Sequence, residues 1–167
     1  MATIPRFLLA ILMVANALHL STCSQKEETG PGEVRWDRMV CERCRMALSD
    51  HYYSAQVRGG VEEKRTKLYY FDDLGCAVIW LDKQTWKASS RTEVWVNDHL
   101  SGEWLNADSA SYVKGKITPM DFGLGAIPDH MENTLNYTQA VQHIFARSNR
   151  TLKHNADPAS SNKGKDK

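Results

Sequence analysis

The chain carries almost no net charge. Its 21 Lys and Arg against 20 Asp and Glu leave a formal +1, so the basic footprint that binds nucleic acid is missing. It has no Ser-His-Asp order, no Gly-rich phosphate loop and no carboxylate pair set in an evident cleft, which removes the commonest signatures of hydrolases and nucleotide enzymes. Its histidines, at 19, 51, 99, 130, 143 and 154, form no metal pair at helical spacing. It has only four cysteines, too few for the dense disulfide framework of a small secreted scaffold. No apolar run is long enough to span a bilayer comfortably as a helix; the longest, Phe7 to Leu18, falls short.

That run is nevertheless informative. Arg6 precedes it, and Leu20-Ser21-Thr22-Cys23 follows, then polar Ser24 to Glu28. This is the layout of an export signal, and it resembles a bacterial lipobox, in which the cysteine becomes a lipidated N-terminus. Residues 1–22 are therefore expected to be a cleaved signal, with Cys23 the lipidation site. Residues 23–33, with Thr29-Gly30-Pro31-Gly32, are expected to form a tether. A lipid anchor places the domain on the periplasmic side of a membrane, and Ser24 in place of Asp points to the outer one. Lipidation of Cys23 leaves three thiols, Cys41, Cys44 and Cys76. An odd number in an oxidising compartment means one closed pair and a buried thiol, or a metal occupying the set.

The folded part is expected at 34–147, in two halves of about 34–88 and 89–147, with a polar, disordered tail over 148–167. The pattern is α+β. Strands are read at Tyr52–Arg58 and Thr66–Phe71, joined as a hairpin past Gly59-Gly60. Asp72 or Asp73 caps a helix over Leu74–Lys83 that is apolar nearly all round and so buried. A second hairpin pairs Glu93–Asn97 with Glu103–Asn106 across the turn Asp98–Gly102, and Ala110–Val113 is a short segment after it. An amphipathic helix covers Leu135–Ala146, capped by Asn133 or Thr134. The five tryptophans are read as core and sheet packing.

Chemistry concentrates in Cys41-Glu42-Arg43-Cys44-Arg45-Met46. Two thiols and a thioether this close are soft donors, which favour Cu(I) over hard cations. A structural zinc site needs four closed ligands. The remaining thiol, Cys76, lies in the apolar helix and is read as a small core residue, so structural zinc is not expected. A thioredoxin-like pair needs CxxC at a helix start within βαβ order, and the hairpins here do not follow that order, although Ile117-Thr118-Pro119 would suit the facing loop. For copper a further ligand is required. Met120, in a loop with Pro119, Gly123 and Gly125, is the candidate; Met39 and His130 are lesser ones, and His51 is weighed only for zinc.

Several segments together resemble one family, the NosL accessory lipoproteins of nitrous oxide reductase. They are Leu20-Ser21-Thr22-Cys23, Cys41-x-x-Cys44-x-Met46, Tyr70-Phe71-Asp72-Asp73, Trp95-Val96-Asn97-Asp98 with Trp104-Leu105-Asn106-Ala107, and Thr118-Pro119-Met120 with Gly123-Leu124-Gly125-Ala126. The family commonly has Gly where this chain has Arg45. The resemblance implies a fold of two small related ββαβ-type units, similar to those of the organomercurial lyase MerB. It implies a Cu(I) metallochaperone rather than an enzyme. Its partners would be an ABC-type copper maturation complex and a copper enzyme such as nitrous oxide reductase. By resemblance, Cys44, Met46 and Met120 are copper ligands, and Cys41 is a further ligand or the thiol that first receives the ion. Service to another copper protein, or thiol–disulfide exchange at the CxxC pair, are the alternatives.

Overall fold

The computed structural model describes residues 28–156. The expected signal, the lipidation site Cys23, the start of the tether and the end of the tail, 157–167, lie outside the described residues. Within them the chain is α+β. Strands β1 (Ala55–Gly59) and β2 (Lys67–Phe71) are followed by helix α1 (Leu74–Leu81). Strands β3 (Glu93–Asn97), β4 (Trp104–Asn106), β5 (Ser111–Lys114) and β6 (Leu124–Ile127) come next, and helix α2 (Tyr137–Ala156) ends the fold.

The strands form two antiparallel sheets, one in the order β2-β1-β3-β4 and the other pairing β5 with β6. The halves drawn from the sequence share the larger sheet: β3, beyond the 88/89 boundary, pairs with β1, Val57 facing Val94 and Ala55 facing Val96. A bridge between Asp98 and Ala126 ties the second sheet to the first. No helix among the described residues is long and apolar enough to cross a membrane.

Strand alternation explains how β1 is buried on both faces. Ala55 and Val57 face the core with Phe71, Leu74, Cys76, Val78, Val94 and Val96. Gln56 and Arg58 face the other way and are also buried. Their polar groups need partners, and the chain around Gly30 supplies them. Gln56 accepts from the Gly32 amide at 2.7 Å and donates to the Gly32 carbonyl at 2.9 Å; Arg58 Nε donates to the Gly30 carbonyl at 2.9 Å. The expected tether is thus bound to the sheet over at least Gly30–Gly32.

Element ends differ from expectation for local reasons. Of the two caps expected for α1, Asp73 is the one used, accepting from the Gly75 amide at 2.8 Å, and the helix ends at Leu81 rather than Lys83. Helix α2 starts after Asn136, which exchanges hydrogen bonds with Gln139 (2.9 and 3.0 Å); this reciprocal cap displaces Asn133 and Thr134. It runs past the expected boundary at Ser148, because neither Gly nor Pro interrupts the sequence before Pro158. Strand β6 was expected to be loop: Gly125 and Ala126 mute its alternation, and the bare Gly125 accommodates the His99 ring. The tryptophan expectation holds for Trp80 and Trp86, which pack with Tyr69 at ring separations of 4.5 and 5.9 Å.

Candidate metal centre

The segment carrying the two clustered cysteines is a tight hairpin. A bridge between Val40 and Ala47 closes it, the Cys41 amide donates to the Met46 carbonyl at 2.8 Å, and the Arg45 amide donates to the Cys41 carbonyl at 3.1 Å. The turn requires a left-handed residue, and Arg45 supplies it at φ 68°. Gly is the residue that adopts this conformation without steric cost. A hydrogen bond from the Glu42 amide to the Tyr70 carbonyl (2.9 Å) lays the hairpin against the end of β2.

That docking brings Cys41 and Cys44 to the junction of β2 and α1. Asp72 lies at the junction itself, one residue before the N-cap, and Cys76 in the first turn of α1. The donor atoms of Cys41, Cys44, Asp72 and Cys76 all lie within 4.8 Å of one another, a grouping that could hold a metal ion. All three cysteines are free. Cys41 and Cys76 are fully buried, Asp72 is 2% exposed, and Cys44 is half-buried at the mouth. The hairpin pairing and the helix fix these positions, so the cluster is preorganised.

Its electrostatics are uneven. The Cys76 thiol donates to Cys41, and this, opposed by burial and helped by the amides of Cys44 and Asp72, pulls the Cys41 thiol down to about 6. Cys76, the donor in that bond and buried, is pushed up. Burial also raises the Cys44 thiol, to about 12, and its hydrogen bond to Asp72 Oδ2 (3.1 Å) acts in the same direction. Cys41 is thus the most readily ionised of the three thiols, and Cys44 and Cys76 the more strongly protonated. Arg43 Nη1 stands 3.6 Å from Cys76 Sγ and offsets part of the negative charge. The other carboxylate oxygen, Asp72 Oδ1, is buried without a hydrogen-bond partner.

The remaining expected ligands occupy different places. Met46 follows Cys44 around the turn and is 51% exposed. Met120 is half-buried against the core. Its loop is drawn to this end of α1 by Asp73, whose Oδ2 accepts from the Thr118 hydroxyl at 2.6 Å and the Met120 amide at 3.2 Å. Burial raises the Asp73 carboxyl despite these bonds. Gly75 makes the approach possible: the Phe122 ring occupies the space a side chain there would need.

The lesser candidates are engaged elsewhere. Met39 Sδ accepts from the Arg35 amide at 3.2 Å, and His51 stacks on Trp36 at 4.0 Å. His130 Nδ1 lies 3.3 Å from both Ser111 Oγ and Thr134 Oγ1. The sequence reading missed Asp72 as a possible donor, taking it for a cap, and favoured core packing over a ligand role for Cys76. Comparison of the chain with family models, with curated proteins and with solved structures finds no match.

Proposed function

We propose that this chain is a Cu(I) metallochaperone, not an enzyme, and that it looks like NosL in both its site and its fold of ββαβ-type units. In this reading it is exported, anchored through Cys23 on the periplasmic side of a membrane, and loaded by an ABC-type copper maturation complex. It passes Cu(I) to a copper enzyme of the nitrous oxide reductase type. The observation that carries the reading is the convergence of Cys41, Cys44 and Cys76 in a sulfur-rich pocket, with Cys44 half-buried and Met46 exposed two residues further along the same hairpin. Soft thiols and thioethers are the donors Cu(I) prefers.

Transfer proceeds by ligand exchange. Met46 and Cys44, the accessible pair, receive the ion from a partner's sulfur ligand, and a shared thiolate keeps it bound throughout. Cys41, buried behind them, is the inner ligand rather than the receiving thiol. Met120, on the loop held by Asp73, completes the set. A membrane anchor raises the effective concentration of the domain near its partners. The test is competition for Cu(I) between the reduced protein and a chelator. One ion bound tightly, with affinity falling about tenfold or more in Cys44→Ser and Met120→Ala, supports the reading; unchanged affinity in both removes it.

Thiol–disulfide exchange has one observation in its favour, the lowered Cys41 thiol. Against it, Cys41 is fully buried, and a nucleophilic thiolate must be reached by its substrate. Insulin reduction that survives Met46→Ala and Met120→Ala would favour this second reading.

A further inference from the structure

Asp72 does not fit a site made for Cu(I) alone. A carboxylate oxygen is a hard donor, of little use to Cu(I) but a normal ligand of Zn2+ and other divalent first-row ions. Asp72 is 2% exposed, and its Oδ1 has no hydrogen-bond partner. A buried, unpaired carboxylate oxygen costs free energy unless something positive meets it. Oδ1 belongs to a carboxylate of which one oxygen lies within 4.8 Å of three thiol sulfurs.

We infer that Cys41, Cys44, Cys76 and Asp72 form a four-coordinate site for a divalent, borderline-soft cation such as Zn2+, which differs from the copper site in using Cys76 and Asp72 in place of Met46 and Met120. Zn–S bonds of about 2.3 Å put tetrahedral sulfurs about 3.8 Å apart. The donor atoms, already within 4.8 Å of one another, need only a modest contraction to reach that arrangement. Three sulfurs and one oxygen from protein fill the tetrahedron and leave no open position, the pattern of a structural rather than a catalytic ion. Arg43 beside Cys76 offsets the excess negative charge of three thiolates and a carboxylate around a doubly charged ion.

The two ligand sets share Cys41 and Cys44 and diverge beyond them. Copper uses the thioethers of Met46 and Met120; the divalent ion uses Cys76 and Asp72 on the inner side. Because Cys41 and Cys44 come from the hairpin while Asp72 and Cys76 come from the β2–α1 junction, the divalent ion would pin the hairpin to the core.

The probe is Co2+, whose tetrahedral thiolate complexes absorb strongly in the visible and near ultraviolet, added to the reduced full chain in mild detergent. Expected are one equivalent of bound Co2+ with tetrahedral d–d bands and thiolate charge transfer, its displacement by Zn2+, and a rise in the unfolding temperature on Zn2+ addition. Asp72→Asn, which keeps shape, and Cys76→Ala, which suits a small core position, each weaken Co2+ binding by about tenfold or more. A circular dichroism spectrum matching the parent confirms that each variant is folded. Should one variant not fold, the other carries the comparison. If both fail, the inference rests on the parent spectrum, in which fewer than three thiolates on the ion overturns it. An octahedral Co2+ spectrum, or Co2+ affinity unchanged in a folded variant, also overturns it. Cu(I) competition on the same samples reports the copper reading separately: Asp72→Asn lowers Co2+ affinity while leaving Cu(I) affinity within about threefold.

Discussion

The Cys44 thiol donates to Asp72 Oδ2 across 3.1 Å, joining the mouth of the sulfur hairpin to the residue just before the N-cap of α1. The bond has a kinetic consequence. Burial holds the Cys44 thiol up near 12, and the carboxylate adds to the effect. Alkylation requires thiolate. In the reduced, metal-free protein the pH profile of Cys44 alkylation by iodoacetamide is expected to shift to lower pH in Asp72→Asn, with peptide mapping to assign the site. An unshifted profile would remove the carboxylate from the account of Cys44.

Arg45 sits at φ 68°, a conformation that costs a residue with a side chain about 1 kcal/mol relative to Gly. Its ion pair with Glu42, 3.7 Å long and exposed on both sides, contributes little. Arg45→Gly is therefore expected to stabilise the protein by about 0.5–1 kcal/mol, read from the urea midpoint at constant slope. A loss of stability would mean that the Arg side chain contributes more than its geometry indicates.

Gly75 accommodates the Phe122 ring at the start of α1. Gly75→Ala forces the ring and its loop away and is expected to cost about 1–3 kcal/mol. Because that loop carries Met120, Cu(I) affinity should fall as well, while Ala at exposed Thr138 on α2 serves as a neutral control. Urea unfolding and chelator competition on one preparation separate the two effects.

Alkaline pH should unfold this protein through its buried tyrosines. Burial raises the Tyr112 hydroxyl, which donates to the Ala107 carbonyl at 2.7 Å, and raises Tyr137 to about 12. A folded value above the unfolded one of about 10 means that the folded state holds the proton more tightly. The contribution to stability is thus complete below about pH 10 and is lost as pH rises through about 12. Tyr112→Phe should flatten that alkaline slope and cost about 1 kcal/mol at neutral pH through the lost hydrogen bond.

The sequence was most legible where alternation and capping are local. The strand Glu93–Asn97 is found with its expected bounds, and α1 begins at Leu74 as expected. Strand β6 was hidden because Gly125 and Ala126 carry little hydropathy signal; its pairing with β5 and the packing of His99 are tertiary facts. The binding of Gly30 and Gly32 by Gln56 and Arg58 was equally invisible, since nothing local says which buried polar side chain a distant backbone will satisfy. In the site, Cys41 and Cys44 announced themselves by spacing. Cys76 and Asp72 joined them only through the docking of the hairpin on β2, a contact between segments far apart in the chain.

The central claim is that this pocket holds Cu(I) through sulfur. X-ray absorption at the copper edge of the reduced protein loaded with one equivalent of Cu(I) tests it most directly. The account predicts an all-sulfur first shell at about 2.3 Å that loses a sulfur in Cys44→Ser. A shell dominated by oxygen or nitrogen, or one unchanged in Cys44→Ser, would contradict it.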